Sequence, residues 1–408
     1  MSWHVPEFWR GIAGVSAWSI AAAWCVKTTG LLQNLPRMPN LSSIDWKDAS
    51  ATATLTVVVP ARDEAANIAA TLEALLAADY PHLLIIAVND RSEDSTGAIM
   101  EEFAARAPDR LKVIHVTSCP SGWMGKTHAL DLALRQITSD FVLFTDADVL
   151  FSPSILRRAM AYAATCAADH LVVVPTMQVK SRGEGIVLGF FQILGMWAAR
   201  PWKVSDPTAH RDAIGVGAFN LFRRSALQAI GGLEPQRMVV LEDITLGWRI
   251  KAAGLRQRVA FAPGLVLVHW AKGARGLVRV MTKNLFSGVN FRPLLLLGGC
   301  LWIVLFCLLP LAGLAWWETL VQSLLVLLCM AAAYRSMGAL SGIDPRYGWL
   351  YPAGACVFIY AMLRSMLFAW MRRGVEWRGS HYPLAVLRKH NSPLQWRKRT
   401  AARVSSNR

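Results

Sequence analysis

The sequence has few residues suited to a disulfide framework or to a transition-metal centre. Five of its seven cysteines lie in apolar segments, and the other two, Cys119 and Cys166, lack the spacing of metal ligands. The nine histidines show no paired spacing either. We therefore expect neither disulfide bonds nor a metal site built from cysteine or histidine.

Acidic residues are also scarce, with 27 Asp and Glu against 43 Lys and Arg and a net charge of +16. From Arg372 onward there are ten basic residues and one acid, and between Ala271 and Pro293 there are five basic residues and none that is acidic. Both stretches flank apolar segments, and no nucleic-acid motif accompanies them. We therefore expect contact with anionic lipid headgroups and no nucleic-acid partner.

Long apolar runs predict several membrane helices. A run near twenty residues is long enough to cross a bilayer. Residues 294–371 contain three such stretches, of which the last is interrupted only by Arg364: Leu294–Trp317, Leu320–Tyr334 and Tyr351–Met371. We predict an integral, multi-pass protein of the inner (cytoplasmic) membrane.

A fourth apolar run, Gly11–Val26, favours an uncleaved anchor over residues 1–35, because no convincing cleavage site follows it. Lys27 and Arg37 come next, and this positive charge favours a cytoplasmic position for the main domain. Three crossings after that domain would put the basic tail, residues 372–408, outside and against the positive-inside rule. We therefore favour two full crossings and one shallow segment.

Strand-like and helix-like segments alternate between Thr52 and Val268, which predicts an α/β domain with a mostly parallel sheet. The segment Gly185–Trp197 is either a core helix or a helix at the membrane surface. The predicted strands are Leu55–Val59, Leu83–Val88, Leu111–Val116, Phe141–Thr145 and Leu171–Val174. The predicted helices are Glu64–Ala77, Asp94–Arg106, Thr127–Gln136 and Ser152–Thr165.

The most informative motif is Asp146-Ala147-Asp148, which directly follows an apolar strand. Open α/β sheets bind ligands at the carboxyl ends of their strands. Two carboxylates there are suited to Mg²⁺ or Mn²⁺ holding a diphosphate, although Asp is also common in ordinary turns.

Four further polar segments are consistent with a nucleotide-sugar site, and each could instead cap a helix or form a plain loop. The segment at Lys126 is not a Walker A loop, because its two glycines are too close together. The segments are Val59-Pro60-Ala61-Arg62-Asp63-Glu64, Asn89–Thr96, Gly122-Trp123-Met124-Gly125-Lys126-Thr127 and Leu241-Glu242-Asp243-Ile244.

Together and in this order, these motifs resemble family 2 glycosyltransferases of the GT-A fold, over roughly Thr54 to Phe291. The resemblance implies a Rossmann-like, mixed and mostly parallel sheet in a cytoplasmic domain, over residues 52–291, plus transmembrane α-helices over residues 294–371. It also implies inverting, metal-dependent sugar transfer from a nucleotide-diphosphate donor such as a UDP-hexose.

The resemblance further implies a role for each matching residue. Asp148 would bind the metal, Mg²⁺ or Mn²⁺, and Asp243 would be the general base within the catalytic pair Glu242-Asp243. The nucleotide sugar would be held by Pro60, Ala61, Arg62, Glu64, Asp90, Lys126 and Asp146.

The segments Gly122–Lys126, Gly215–Asn220 and Val375–Gly379 are similar to those of members that glycosylate hopanoids, carotenoids and ceramide. A lipid acceptor is therefore the leading expectation. Processive members carry Gln-x-x-Arg-Trp, which is absent here, so a polysaccharide synthase is disfavoured, while a polyprenyl-phosphate acceptor stays open. The remaining alternatives are a nucleotidyltransferase and a membrane scaffold with an inactive domain. Arg279 is a candidate for stabilising the diphosphate leaving group.

Overall fold

A computed structural model describes residues 7–46 and 52–390. The predicted tail at 372–408 lies partly outside the described residues, as does the start of the predicted anchor at 1–35. The described chain forms two compact units. The helical unit comprises the residues up to Arg37, Val179–Ala198 and Ala271–Phe368, and the sheet unit comprises Met38–Gln178, Ala199–Trp270 and the residues from Ala369 onward.

The sheet unit contains twelve strands within the described ranges, seven of them in one central sheet. A three-stranded sheet has the order β5-β10-β7, and β11 and β12 form a separate hairpin. The strands are β1 Leu55–Ala61, β2 Leu83–Asp90, β3 Leu111–Val116, β4 Phe141–Phe144, β5 Val149–Phe151, β6 His170–Val174, β7 Thr176–Met177, β8 Asn220–Arg223, β9 Gln257–Phe261, β10 Val266–Val268, β11 Gly374–Trp377 and β12 Ser380–Pro383.

The helices of both units, in chain order, are α1 Glu7–Asn34, α2 Ile68–Leu76, α3 Thr96–Arg106, α4 Gly125–Leu134, α5 Ile155–Thr165, α6 Arg182–Ala199, α7 Arg224–Ala229, α8 Glu242–Ala252, α9 Gly273–Gly288, α10 Pro293–Ile303, α11 Leu309–Ala312, α12 Trp317–Ser341, α13 Tyr351–Met371 and α14 Leu384–His390. The predicted helix Glu64–Ala77 begins only at Ile68. Side chains that follow β2 bind the backbone amides of Glu64 and Ala65, and this holds the first residues in a turn.

The central sheet has the order β3-β2-β1-β4-β8-β6-β9 and is mixed, mostly parallel. Only β8 is antiparallel, to both β4 and β6. This confirms the predicted α/β class. β1 is parallel to both neighbours, pairing Leu55 with Leu83 on one side and with Phe141 on the other. The chain order therefore reverses between β1 and β4, and such a reversal opens a crevice at the carboxyl ends of the strands.

Helices cover both faces of this sheet because successive side chains of a strand point to opposite faces. Val57 and Val59 of β1 belong to one buried cluster, together with α2, α3 and α5. Val58, between them, belongs to the other, together with α4, α7 and α8. With apolar side chains buried on both faces, the central strands are rigid, and the loops at their carboxyl ends have fixed starting points.

Within the described residues, three helical segments of the helical unit are long and apolar enough to cross a membrane: Pro293–Ala315, Trp317–Ser341 and Pro345–Met371. The second packs along α1, where Cys25 Sγ lies 3.8 Å from Cys329 Sγ. Trp24 Nε1 donates a 2.8 Å hydrogen bond to the carbonyl oxygen of Phe306. These segments support membrane association of the protein.

Helix α6 packs inside the helical unit. Phe190 is fully buried, and its ring lies edge-on to that of Phe358, 5.9 Å between centroids. Gly189 and Gly185 lie against the rings of Tyr334 and Tyr347. The absence of side chains at these glycines lets the aromatic rings approach the α6 backbone closely.

A methyl group at Gly185 would overlap the Tyr347 ring, whereas one at Gly195 on the same helix would meet nothing within 4 Å. We expect Gly185→Ala to lower the free energy of unfolding by about 1–3 kcal/mol, because overpacking displaces the ring. Gly195→Ala is the matched control and should stabilise α6 by up to about 1 kcal/mol. Thermal unfolding of the two variants in detergent measures the difference, and equal midpoints would contradict the packing described here.

Candidate functional site

The loop after β1 (residues 62–67, the β1 loop) is fixed by the loop after β2 (residues 91–95, the β2 loop) and the start of α3. Four hydrogen bonds join backbone amides to side chains across them: Asp63 N to Ser92 Oγ (3.1 Å), Glu93 N to Asp63 Oδ1 (2.8 Å), Glu64 N to Thr96 Oγ1 (2.8 Å) and Ala65 N to Asp94 Oδ2 (3.1 Å). Asp94 also accepts from Thr96 N at 2.9 Å, so it holds both the β1 loop and the first residue of α3.

Asp90, the last residue of β2, is buried and forms a two-point ion pair with Arg91. Arg91 Nε and Nη2 donate to the Asp90 carboxylate at 2.7 and 3.1 Å. Arg91 has a left-handed backbone, φ 57°, which turns its side chain back onto its neighbour. The hydrogen bond to Asp90 raises the pKa of Arg91, so the pair is a cation next to a carboxylate at this edge of the sheet.

Lys126, in the first turn of α4, joins the two acidic motifs. Its Nζ lies 2.6 Å from Asp146 Oδ1 and 2.6 Å from Glu242 Oε1. Burial alone would lower the pKa of Lys126, but Asp146, Glu242 and Asp243 raise it well above its ordinary value. The ammonium is therefore charged, and it brings together carboxylates that are far apart in sequence.

Two glycines make this close packing possible. A Cβ at Gly217 would lie 2.5 Å from Asp146 Oδ2, and one at Gly215 would overlap the backbone carbonyl of Asp243. The segment 215–217 therefore lies directly against both acidic motifs. Its glycines are sterically required, which the sequence alone did not indicate.

Glu242 and Asp243 form the first turn of α8, where the partial positive charge of the helix end stabilises carboxylates. Glu242 is 5% exposed and bound to Lys126. Burial, followed by the charge of Glu242, raises the pKa of Asp243 to about 7. The Asp243 carboxylate is thus poised to exchange a proton near neutral pH.

Asp148 is half-buried, and desolvation, Asp146 and Glu64 raise its pKa to about 7. This cluster of carboxylates favours the binding of a cation. Within residues 7–46 and 52–390 no three acidic, histidine or cysteine side chains are grouped as a complete ligand set. Two carboxylates are enough for Mg²⁺, which commonly takes only one or two and completes its shell with substrate phosphates and water.

The other predicted residues lie at the end of β1. Pro60 and Ala61 are buried and pair with Val88 and Asn89 of β2, so they orient the β1 loop through the backbone. Arg62 Nη1 donates to Ser380 Oγ at 3.3 Å. The Glu64 carboxylate accepts from Asn67 Nδ2 at 2.9 Å and pairs with Arg378.

All ten predicted site residues thus belong to the sheet unit, at or after the ends of β1, β2 and β4 or in the first turns of α4 and α8. Lys126, Asp146 and Glu242 are in direct contact. Sequence reasoning missed the hairpin β11–β12, which contacts the β1 loop through Arg378 and Ser380. The only sequence feature that pointed to the hairpin was the segment Val375–Gly379, which resembles that of family members. It lies more than 300 residues from the β1 loop in the sequence.

The sequence matches the profile described as "Glycosyltransferase like family 2" over residues 52–286. The chain belongs to this family. The matched range includes all ten predicted site residues.

The curated relatives have low sequence identity to this chain. The chain is 24% identical over 255 residues to a 4,4'-diaponeurosporenoate glycosyltransferase of Staphylococcus aureus, covering 61% of this chain and 65% of the relative. It is 24% identical over 190 residues to a poly-beta-1,6-N-acetyl-D-glucosamine synthase of Staphylococcus epidermidis, covering 46% and 43%. The chain thus spans less than two thirds of the length of these relatives.

Among solved structures, the chain is similar to the mannosyltransferase PcManGT from Pyrobaculum calidifontis in complex with GDP-Man and Mn²⁺. The TM-score is 0.50 at 20% identity, covering 87% of this chain and 99% of that one. At 20% identity, the structural similarity shows a shared fold only.

Replacing Lys126 by Met should remove the ammonium that lies 2.6 Å from both Asp146 Oδ1 and Glu242 Oε1. We expect a loss of about 1–3 kcal/mol of unfolding free energy at pH 8, because the cluster is only partly buried. Lys126 also lowers the pKa of Asp243, so its loss should raise that pKa further, and stability should recover as the pH falls and decline as it rises. Unfolding midpoints at pH 5.5 and 8 test this, with the exposed Lys112→Met as control, and a pH-independent loss would contradict it.

Proposed function

We propose that the glycosyltransferase transfers a sugar, with inversion, from a UDP-hexose to the hydroxyl of a membrane lipid in a metal-dependent reaction. The observation that carries this proposal is the cluster of Lys126, Asp146 and Glu242, with Asp148 and Asp243 beside it, at the strand reversal. Such a cluster has carboxylates that can hold a cation on a diphosphate, and a further carboxylate that can accept a proton.

The β1 loop and Asp90 would bind the nucleotide, since both are rigidly held at the carboxyl edge of the sheet. Asp148 would hold the metal, and Asp146 would contact the sugar or ribose. When bound, Mg²⁺ or Mn²⁺ neutralises charge on the diphosphate and so makes it a better leaving group. Lys126 adds a positive charge beside the diphosphate and fixes Asp146.

Asp243 would act as general base. The acceptor oxygen bonds to the anomeric carbon as the bond to the diphosphate oxygen breaks on the opposite face, and the hydroxyl proton passes to Asp243. A single displacement of this kind inverts the anomeric centre. Glu242 is bound to Lys126, so its role is to position the ammonium and the first turn of α8.

Two observations support a lipid acceptor. Three membrane-length segments follow the catalytic domain directly, and a relative aligned over 61% of this chain is named a 4,4'-diaponeurosporenoate glycosyltransferase. The poly-N-acetylglucosamine synthase relative supports a polysaccharide product instead, and a polyprenyl phosphate is a further candidate acceptor. The missing Gln-x-x-Arg-Trp motif weighs against a processive polymerase. An inactive scaffold is disfavoured, because the charged groups of the site form a mutually paired set.

The contact between the hairpin β11–β12 and the β1 loop has a consequence for the membrane topology. Trp270 and Ala369 both belong to the sheet unit, which supports an even number of membrane crossings between them. Among the three membrane-length segments, α13 is our choice for a shallow position, because it packs on α6 and the basic helix α9. Its Ser365 Oγ donates to the Thr282 carbonyl oxygen at 2.6 Å. With α1 as anchor, the catalytic domain and the residues after α13 are cytoplasmic.

Asp243→Asn should lower kcat by about 10²–10⁴-fold, because it removes the general base. UDP affinity should be nearly unchanged. In the wild type, kcat/KM should rise with pH through about 7 and level off above it, since the raised pKa of Asp243 means that the carboxylate must first lose its proton.

Asp148→Asn should instead abolish the metal-dependent part of both turnover and UDP binding. Steady-state kinetics and calorimetry test both variants, with the exposed Asp79→Asn as control. Wild-type turnover from either variant would contradict its assigned role.

Reporter fusions test the topology. Alkaline phosphatase fused after Trp316 should be active, and fused after His390 inactive, whereas green fluorescent protein should give the opposite pattern. We expect this because Trp316 lies between two crossings and His390 follows the shallow helix. An active phosphatase after His390 would mean that α13 crosses the membrane.

A further inference from the structure

The hairpin β11–β12 has an unusual residue at its turn. Trp377 pairs with Ser380, which leaves Arg378 and Gly379 as a two-residue turn with φ values of 47° and 72°. Turns with two positive φ values favour Asn-Gly, because a larger side chain in the first position is strained. An arginine there is unfavourable for the turn itself, and such strain often marks a functional residue.

Arg378 reaches the β1 loop. One guanidinium nitrogen donates to the carbonyl oxygen of Arg62, and the other pairs with the Glu64 carboxylate. The guanidinium therefore lies directly against the β1 loop, which is proposed to bind the nucleotide.

The hairpin is anchored independently of Arg378. Gly125 N, at the start of α4, donates to the Tyr382 hydroxyl at 3.2 Å, and Tyr382 and Val375 are buried. The side chains of Asp90 and Arg91 lie against Gly125. The hairpin thus spans the β1 loop, the α4 terminus and the vicinity of Asp90, and these elements surround the proposed nucleotide position.

We propose that Arg378 is a donor-binding residue that contacts the diphosphate of the nucleotide sugar, an inference that rests on the proposed function. A guanidinium forms paired hydrogen bonds with phosphate oxygens as it does with a carboxylate. Glu64 balances the charge of Arg378 before the donor binds, and the diphosphate supplies a stronger partner. Arg279, the cation suggested by the sequence for this role, belongs to the helical unit, whereas Arg378 is in the sheet unit with the site.

The decisive variant is Arg378→Asn, because Asn followed by Gly379 favours the same turn while the positive charge is removed. Binding is measured by calorimetry on the full-length protein with Mn²⁺, using UDP directly, uridine by displacement, and GDP in parallel. We expect UDP affinity to fall about 10- to 100-fold, as for the loss of a charged hydrogen bond, and uridine affinity to stay unchanged. Arg378→Lys should recover part of the loss.

Glu376→Gln is the matched control, since Glu376 lies on the same hairpin but pairs with Arg372. It should bind UDP as the wild type does. Unchanged UDP affinity in Arg378→Asn would overturn the inference, as would an equal loss for UDP and uridine, which would indicate a purely structural hairpin. A wild-type protein that binds neither UDP nor GDP would overturn the proposed function as well.

Discussion

The candidate site depends on one ion cluster, in which the Lys126 ammonium holds Asp146 and Glu242 at 2.6 Å each. Carboxylates this close repel one another, and in a partly buried cleft that repulsion is poorly screened. Lys126 offsets it and thereby fixes the end of β4 relative to the start of α8. Gly215 and Gly217 allow the approach, because any side chain there would push the two motifs apart.

The sheet explains why these groups meet. β1 and β4 are adjacent and parallel, and the chain order reverses between them, so the loops that follow them border one crevice. Residues 63–65 are bound through their backbone to the loop after β2. A donor would therefore meet a preorganised site, and little conformational freedom would be lost on binding.

Local patterns were enough to predict the fold class, five of the seven strands of the central sheet and the residues of the acidic motifs, because those depend on short-range periodicity and on a family resemblance. β3, predicted as Leu111–Val116, has those bounds in the structure. The antiparallel direction of β8 and the contact between Arg378 and Glu64 could not be predicted, since both depend on tertiary packing. The start of α2 was misplaced because the side chains of Asp94 and Thr96 bind the backbone amides of residues 64 and 65, which precede the helix.

The most direct test of this account is sugar transfer to lipid. Purified protein would be incubated with radiolabelled UDP-sugars, Mg²⁺ or Mn²⁺ and total lipid from its source, and the label would be followed into organic, polymer and aqueous fractions. The account predicts metal-dependent label in the organic phase, on a product whose mass identifies the acceptor. Label in a polymer, or no transfer from any donor in the presence of source lipid, would contradict it.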